Sequence, residues 1–175
     1  MKKIIFTLLA VFILFSTSFA QFEANKSYAG PAVGLSFLGS TLSFGANYEY
    51  GMNMKDIGID APGLLGIGGI VRYWSYSEGF WSYTDLVIAA QGNYHIVLDN
   101  KKLDPYLGLI IGYDIGSFNW DGPYDNLFDI SYGGFIFGAS AGVRYWFSPQ
   151  MAINARLGTG SNLGSTLDIG VDFKF

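Results

Sequence analysis

The sequence contains no cysteine among its 175 residues. This absence excludes a disulfide scaffold, a thiolate zinc site, a cysteine nucleophile and a lipid anchor on cysteine. Charge is also scarce, since 14% of the residues are Asp, Glu, Lys or Arg, against about 25% in an ordinary soluble domain. Low charge, together with 18% aromatic residues and 24 glycines, excludes a disordered chain, a coiled coil and a nucleic-acid-binding protein.

The first twenty residues have the three parts of a secretory signal peptide. A short basic start precedes an apolar run over 4–15, and Ser18 and Ala20 supply the small residues of a cleavage site. The run is too short to span a membrane as a helix, and no later stretch offers 18 consecutive apolar residues. We therefore predict a cleaved signal peptide over 1–20 and a single domain over 21–175. The mature domain then has 8 basic and 14 acidic residues, a net charge of −6.

After the signal peptide, apolar residues alternate with small or polar residues at the period of a β-strand. Helical periodicity is missing throughout this part of the sequence. Eight segments show the alternation: residues 30–38, 41–50, 64–74, 84–95, 106–115, 133–147, 151–158 and 166–175. We predict an all-β fold with one strand in each segment.

The composition of the two strand faces distinguishes two kinds of barrel. The polar face is mostly Gly, Ser, Ala and Asn, which are too small and too weakly charged to face water. These residues suit the crowded interior of an eight-stranded barrel. The apolar face of 133–147 ends in aromatic residues, with Phe135 and Phe137 at one end and Tyr145 and Phe147 at the other, as in the girdles of a membrane barrel. The pattern predicts an antiparallel up-and-down transmembrane β-barrel and disfavours a soluble lipid carrier.

The connections predict how the barrel is oriented. With both termini in the periplasm, the longest connection faces outward, as is usual for outer-membrane barrels. The predicted outer loops are 39–40, 75–82, 116–132 and 159–164, and the predicted periplasmic turns are 51–63, 96–105 and 148–150.

Charged residues on the polar face are expected to fill the lumen. Hairpin symmetry places two pairs near the outer end and a third group near the periplasmic end: Arg72 with Asp85, Arg156 with Asp168, and Arg144 with Glu49 and Asp172. Charges in a confined interior must be paired and hydrogen-bonded. We predict a plug of side chains, with a gated pore lined by these pairs as the alternative.

Candidate catalytic chemistry is sparse. His95 is the only histidine, and it lies at the periplasmic end of a polar face, where Ser140 or Glu49 could join it in a hydrolytic site. An enzyme acting on outer-leaflet lipids needs its histidine near the outer rim, so we predict a hydrogen-bonded rim residue. No catalytic site and no cofactor are predicted.

The predicted outer loops are acidic and aromatic. They carry Glu78, Asp121, Asp125 and Asp129 without Lys or Arg, and carboxylates are possible calcium ligands. Their spacing does not match a calcium-binding loop, so a solvated acidic loop without metal is predicted. Such loops repel lipopolysaccharide phosphates unless divalent cations intervene, and they disfavour nucleic acid. Loop aromatics such as Trp81 suit protein adhesion or anchoring at the lipid surface.

Taken together, the signal peptide, the alternating strands, the segment 144–149 (Arg-Tyr-Trp-Phe-Ser-Pro) and the final Phe175 resemble the small outer-membrane β-barrel family, which includes the OmpA transmembrane domain and OmpX-like proteins. The resemblance implies that the last strand, with Phe173 and Phe175, is the signal read by the barrel-assembly machinery. The peptidoglycan-binding domain of OmpA has no counterpart here, so that tethering role is not expected.

These observations predict a monomeric, non-enzymatic barrel of the outer membrane with a structural or surface-interaction role. Its expected partners are outer-membrane lipids, lipopolysaccharide, the barrel-assembly machinery and an extracellular protein ligand. A small-solute channel is the main alternative, and a lipid-modifying enzyme is the third.

Overall fold

In the computed structural model, every segment of alternating residues is a β-strand. The structure describes residues 21–36, 41–120, 122, 130–160 and 164–175. The strands are β1 (Ser27–Ser36), β2 (Leu42–Asn53), β3 (Leu64–Glu78), β4 (Trp81–His95), β5 (Leu103–Trp120), β6 (Ile130–Ser148), β7 (Met151–Gly160) and β8 (Gly164–Lys174). Each pairs antiparallel with its sequence neighbours, and β1 pairs with β8 to close the barrel. The predicted eight-stranded antiparallel fold is confirmed.

Closure of the barrel has a direct physical meaning. Where all eight strands are paired, the closed ring leaves no strand edge, so their backbone N–H and C=O groups are hydrogen-bonded without help from water. Among the described residues, no helix is long and apolar enough to cross a membrane. The predicted signal peptide over 1–20 lies outside the described residues.

The outer surface of the barrel is apolar. Leu109 is 72% exposed, Ile111 is 65% exposed and Phe135 is 80% exposed, because alternate residues of each strand point away from the lumen. Soluble monomers rarely expose contiguous apolar patches larger than a few hundred Å². Tyr113 and Phe135 also pack edge to face on this surface, with ring centroids 5.4 Å apart. This surface is suited to lipid.

Strands extend into two of the predicted outer loops. Instead of a loop over 75–82, β3 and β4 continue to a hairpin with only Gly79 and Phe80 between them. Gly79 has a φ of 61°, a left-handed conformation that glycine adopts without strain. Similarly, β5 and β6 extend into the predicted loop over 116–132. The prediction ended these strands where the apolar face ended, whereas backbone pairing continues above that point.

The unequal strand lengths give the barrel a raised side. Strands β3 to β6 have 15 to 19 residues, whereas the other four have 10 to 12. We call the extensions of these long strands the outer wall, formed by residues 74–85, 114–120 and 130–134. Phe135 and Phe137 therefore lie below the end of β6, not at its end as predicted. The opposite end of the barrel, where Gln21 and Phe175 lie, is called the lower end.

Most connections at the lower end are also shorter than predicted. The predicted turn over 51–63 is strand as far as Asn53, followed by a short 3-10 helix at Met54–Ile57. Asn53 and Asp56 form a capping box at its start, and Gly58 ends it with a φ of 80°. The predicted loop over 39–40 lies outside the described residues.

Candidate functional site

The polar faces of the strands meet inside the barrel, where glycines make room for charged side chains. A Cβ atom at Gly66 would lie 1.7 Å from Oε1 of Glu49, so only glycine leaves space for this carboxylate. Glu49, Arg144 and Asp172 are each 1% exposed or less. Small residues on the polar faces therefore allow a tightly filled interior.

Arg144 is the centre of a charged group near the lower end, which we call the lower cluster. Its Nε donates to Oδ2 of Asp172 at 2.5 Å, and its Nη2 donates to Glu49. Its Nη1 lies 3.6 Å from Oδ2 of Asp104. The lower cluster comprises Glu49, His95, Asp104, Arg144 and Asp172. The structure thus brings Arg144 together with Glu49 and Asp172, as expected from their similar depth, and adds Asp104.

His95 joins the lower cluster through both ring nitrogens. Nδ1 lies 2.7 Å from Oδ1 of Asp104, and Nε2 lies 2.9 Å from Oε1 of Glu49. Both contacts are satisfied when both nitrogens carry protons. Ser140 is not one of the partners of His95, so the arrangement lacks a nucleophile. The sequence reasoning missed Asp104, although its alternation with Tyr106 at the start of β5 placed it on the inner face.

A short segment before β1 closes the lower end. Phe22 is 2% exposed, and its ring stacks on His95 with centroids 3.6 Å apart and on Tyr28 with centroids 4.5 Å apart. The Glu23 N–H donates to the Tyr28 hydroxyl at 2.7 Å, and Asn25 N–H donates to Gly51 O at 2.8 Å. These contacts hold the segment 21–26 across the opening, beneath the lower cluster. We call this segment the N-terminal plug.

Arg72 and Arg156 share one carboxylate. Arg72 Nη2 lies 3.0 Å from Asp168 Oδ2, and Arg156 Nε donates to the same oxygen at 3.2 Å. Amide oxygens of Asn47 and Gln91 accept from Arg72 and Arg156 at 2.6 and 3.1 Å, and the backbone carbonyls of Ala46 and Val71 accept from Arg72 Nη1. We call the five residues that are linked through their side chains the central cluster. The structure brings Arg156 and Asp168 together, directly opposite in the β7–β8 register.

The predicted pairing of Arg72 with Asp85 is wrong. In the register, Arg72 is opposite Val87, and Asp85 is opposite Trp74. The hairpin turns at Gly79 and Phe80, one residue beyond the centre of the predicted loop. A shift of one residue in the centre of a hairpin moves every cross-strand partner by two residues.

This correction gives an expected result for double mutants. Arg72→Met and Asp168→Asn should show a coupling of about 0.5–3 kcal/mol in the free energy of unfolding, because the two side chains are in contact. Arg72→Met and Asp85→Asn should be additive within about 0.5 kcal/mol. Urea titrations of the refolded barrel, followed by tryptophan fluorescence, measure both cycles. A strong Arg72–Asp85 coupling would contradict the register.

An apolar layer lies above the polar residues of the lower lumen. Along β4 and β5 it separates Asp85 and Asp114, near the outer wall, from the polar side chains nearer the lower end. The layer is formed by buried side chains of four strands: Ile70, Val87, Ala89, Ile110 and Ile136. On β3, Arg72 lies opposite Val87, so the central cluster and the apolar layer overlap in height.

Asp85 and Asp114 form an acidic pair above the apolar layer. They are 3% and 6% exposed, and their carboxyl groups are hydrogen-bonded to each other. The Tyr132 hydroxyl lies 3.0 and 2.9 Å from the two oxygens of Asp85. Its ring fills the space that a side chain at Gly116 would occupy, since a Cβ there would lie 2.1 Å from Tyr132 Cε2. Neither aspartate forms a salt bridge with a described residue.

The outer wall carries aromatic side chains above this acidic pair. Trp81 stacks on Phe118 at 4.6 Å and meets Trp120 edge to face at 4.2 Å. Tyr83 contacts Phe118 at 4.7 Å and Tyr76 at 6.3 Å. In the alternation along their strands, these residues fall on the same face as the side chains that point into the lumen further down. The aromatic groups therefore continue the inner face of the barrel upward.

The other predicted site residues have these positions. Phe173 and Phe175 are 42% and 66% exposed, and the backbone of Phe175 exchanges two hydrogen bonds of 3.0 Å with Ser27. Their role as an assembly signal stays a prediction. Asp121, Asp125 and Asp129 lie outside the described residues. Within the described ranges, no group of three or more His, Cys, Asp or Glu side chains has the arrangement of a metal site.

Comparison with solved structures identifies the fold. The N-terminal barrel domain of Pseudomonas aeruginosa OprF matches with a TM-score of 0.59 and 14% identity, over 87% of this chain and 98% of that one. The Yersinia pestis attachment invasion locus protein Ail matches with a TM-score of 0.56 and 16% identity, over 87% and 100%. Neisserial surface protein A matches with a TM-score of 0.54 and 20% identity, over 86% and 95%. The fold is that of the small outer-membrane β-barrels.

The predicted resemblance is thus confirmed at the level of the fold, and the apolar outer surface is of the kind that faces lipid. No family model and no curated relative match the sequence. A fold of this kind accommodates many functions, so the role of this barrel must be argued from its own residues.

Proposed function

We propose that the protein is a non-enzymatic outer-membrane barrel with a structural or surface-interaction role and a lumen closed by its own side chains. The observation that carries this proposal is the filling of the lumen. From the lower end upward, the N-terminal plug and the lower cluster are followed by the central cluster and the apolar layer, which overlap in height because Arg72 lies opposite Val87, and then by the acidic pair. Eight strands leave an interior only wide enough for such side chains. The action of the protein then takes place at its outer end.

The environment of His95 supports a non-enzymatic role. The imidazole is 1% exposed, and the ring of Phe22 stacks on it from below. Carboxylates occupy both of its nitrogens, so no nitrogen is left to take a proton from a nucleophile or a water molecule. A substrate would also have to displace the N-terminal plug.

The charge of the outer end limits its partners. One structure of Ail contains the heparin analogue sucrose octasulfate, a polyanion. Here the described part of the outer wall carries Glu78, Asp85 and Asp114, and no Lys or Arg. A polyanion is therefore an unfavourable ligand, and contact with lipopolysaccharide phosphates would require bridging divalent cations. An extracellular protein and the surrounding lipids are the partners we propose, with the barrel as a monomer.

Two measurements test this function. The mature protein should fractionate with the outer membrane and migrate differently on gels before and after boiling, because a closed barrel resists unfolding in detergent. In a planar bilayer the purified protein should be silent or open only rarely. Recovery of the intact protein in the soluble periplasm would contradict the location.

A small-solute channel is the second candidate, since charged side chains line the lumen at two levels. Steady, large conductance of the wild-type protein would favour it. If the protein is silent, a comparison of deletion and complemented strains for envelope permeability and for adhesion to host cells separates a structural role from a surface-interaction role.

A further inference from the structure

The first and last strands of the barrel, β1 and β8, pair along one line, which we call the seam. We propose that the folded barrel opens laterally at the seam, that Pro31 weakens its centre, and that the N-terminal plug holds its lower end shut. The inference goes beyond the proposed function and requires only that the barrel is folded. It adds a conformational device to the membrane-spanning part of the molecule.

The first argument is a missing hydrogen bond in the middle of the seam. Ser27 and Phe175 exchange two backbone hydrogen bonds of 3.0 Å, and such bonded pairs recur at every second residue of an antiparallel ladder. Pro31 and Val171 therefore occupy a bonded position, but proline has no N–H to donate to the Val171 carbonyl. Within the described seam, the register accordingly has no pair at Gly30 or Pro31.

Only a weak contact replaces this hydrogen bond. A Cβ atom at Gly30 would lie 1.6 Å from the Val171 carbonyl oxygen, so this oxygen faces the glycine α-carbon at close range. A Cα–H···O contact of this kind is weaker than an N–H···O bond. Water cannot supply the missing donor within the core of a bilayer. The centre of the seam is therefore held less strongly than a regular ladder.

The second argument is that no side-chain hydrogen bond joins β1 to β8 in the middle of the described seam. The lumen-facing residues there are Gly30, Ala32 and Gly34 of β1, which have no side-chain group that can bond to β8. Asp168 and Asp172 of β8 instead bind arginines of β3, β6 and β7. The ladder between β1 and β8 is also the shortest in the described barrel.

The third argument is the N-terminal plug, which clamps the lower end of the seam. Glu23 of the plug forms an ion pair with Lys174 of β8, with Oε1 and Nζ 2.9 Å apart. The Lys174 ammonium group also lies 5.2 Å from the centre of the Trp146 ring, next to the backbone bonds between Ser27 and Phe175. A weak centre and a clamped end are the two parts of a seam that can open and be held shut.

Hydrogen exchange measured by NMR on the refolded barrel tests the proposal, because β1 contains its own control. Since bonded positions alternate, the N–H groups of Ala29 and Val33 donate to β8, whereas those of Ala32 and Gly34 donate to β2. After correction for intrinsic rates, we expect the two seam amides to exchange about tenfold faster than the two amides that face β2. Equal rates in the two sets would overturn the proposal.

Two proline variants show whether the missing donor is the cause. Pro31→Ala supplies an N–H and should slow exchange at Ala29 and Val33 by about fivefold, the factor that one backbone hydrogen bond provides. Pro105→Ala is the matched control, because Pro105 lies opposite Ile96 at the end of the β4–β5 ladder. It should leave exchange at the seam unchanged.

Loosening the plug should have the opposite effect. Phe22→Ala should speed exchange at Ala29, close to the plug, more than at Val33. Unchanged seam amides in Pro31→Ala, or no effect of Phe22→Ala on Ala29, would each contradict the proposal. The comparison within wild-type β1 needs no variant, so it decides the matter if a variant does not fold. None of these results would affect the conductance and fractionation measurements that test the proposed function.

Discussion

Replacing Arg144 with methionine should lower the free energy of unfolding by about 3–5 kcal/mol. Arg144 contacts Asp172, Glu49 and Asp104, and methionine would leave these buried carboxylates with His95 as their only described positive partner. Removal of one partner from a buried ion pair is costly because the remaining charge loses its compensation. Urea titration of the refolded barrel, followed by tryptophan fluorescence, measures the change.

Two further variants separate charge from packing. Arg144→Lys keeps the positive charge but loses the planar fork that reaches several carboxylates, so its loss of stability should be smaller than that of methionine. Adding Glu49→Gln and Asp172→Asn to Arg144→Met should recover part of the stability, since fewer uncompensated charges remain. The separate effects of Glu49→Gln and Asp172→Asn provide the comparison. If the triple variant were less stable than Arg144→Met by the full sum of these two effects, the lower cluster would not be a coupled unit.

Phe22→Ala should lower the free energy of unfolding by about 3 kcal/mol, the lower end of the range for a buried phenylalanine, because the site is next to the barrel opening. The substitution removes the ring that stacks on His95 and Tyr28. The apolar layer and the central cluster still block the lumen, so the variant should remain silent in a planar bilayer. The same urea titration, combined with conductance recording, checks both expectations.

The neighbouring residue provides the control. Glu23→Gln removes an ion pair with Lys174, 2.9 Å long and partly exposed, and should cost less than about 1 kcal/mol. Phe22→Leu should lie between wild type and alanine, because leucine fills part of the space without stacking. Equal stability of Phe22→Ala and wild type would show that the N-terminal plug is not seated in solution.

The alternation of residues was sufficient to predict the strands because one face must meet lipid and the other must fit a narrow lumen. It also placed Arg156 opposite Asp168, because the register of β7 and β8 has the predicted centre. Arg72 and Asp85 failed the same reasoning because the chain turns at Gly79 and Phe80. Continuing alternation through Tyr76 and Tyr83 was the signal for the longer strands.

Other features left no periodic signal in the sequence. The N-terminal plug is too short to show a period, and Phe22 is buried only because an opening of the right size lies beneath the lower cluster. The contact between Arg72 and Asp168 joins strands far apart in the chain, so it depends on barrel closure. Pairing residues across one hairpin at a time cannot predict a contact between strands that are not consecutive.

The apolar layer also determines how the two ends of the lumen influence each other. Ile70, Val87, Ala89, Ile110 and Ile136 have no hydrogen-bonding group in their side chains, so they form no hydrogen-bonded link between the acidic pair and the lower cluster. The outer end can therefore acquire new specificity through substitutions that leave the anchoring half of the barrel untouched.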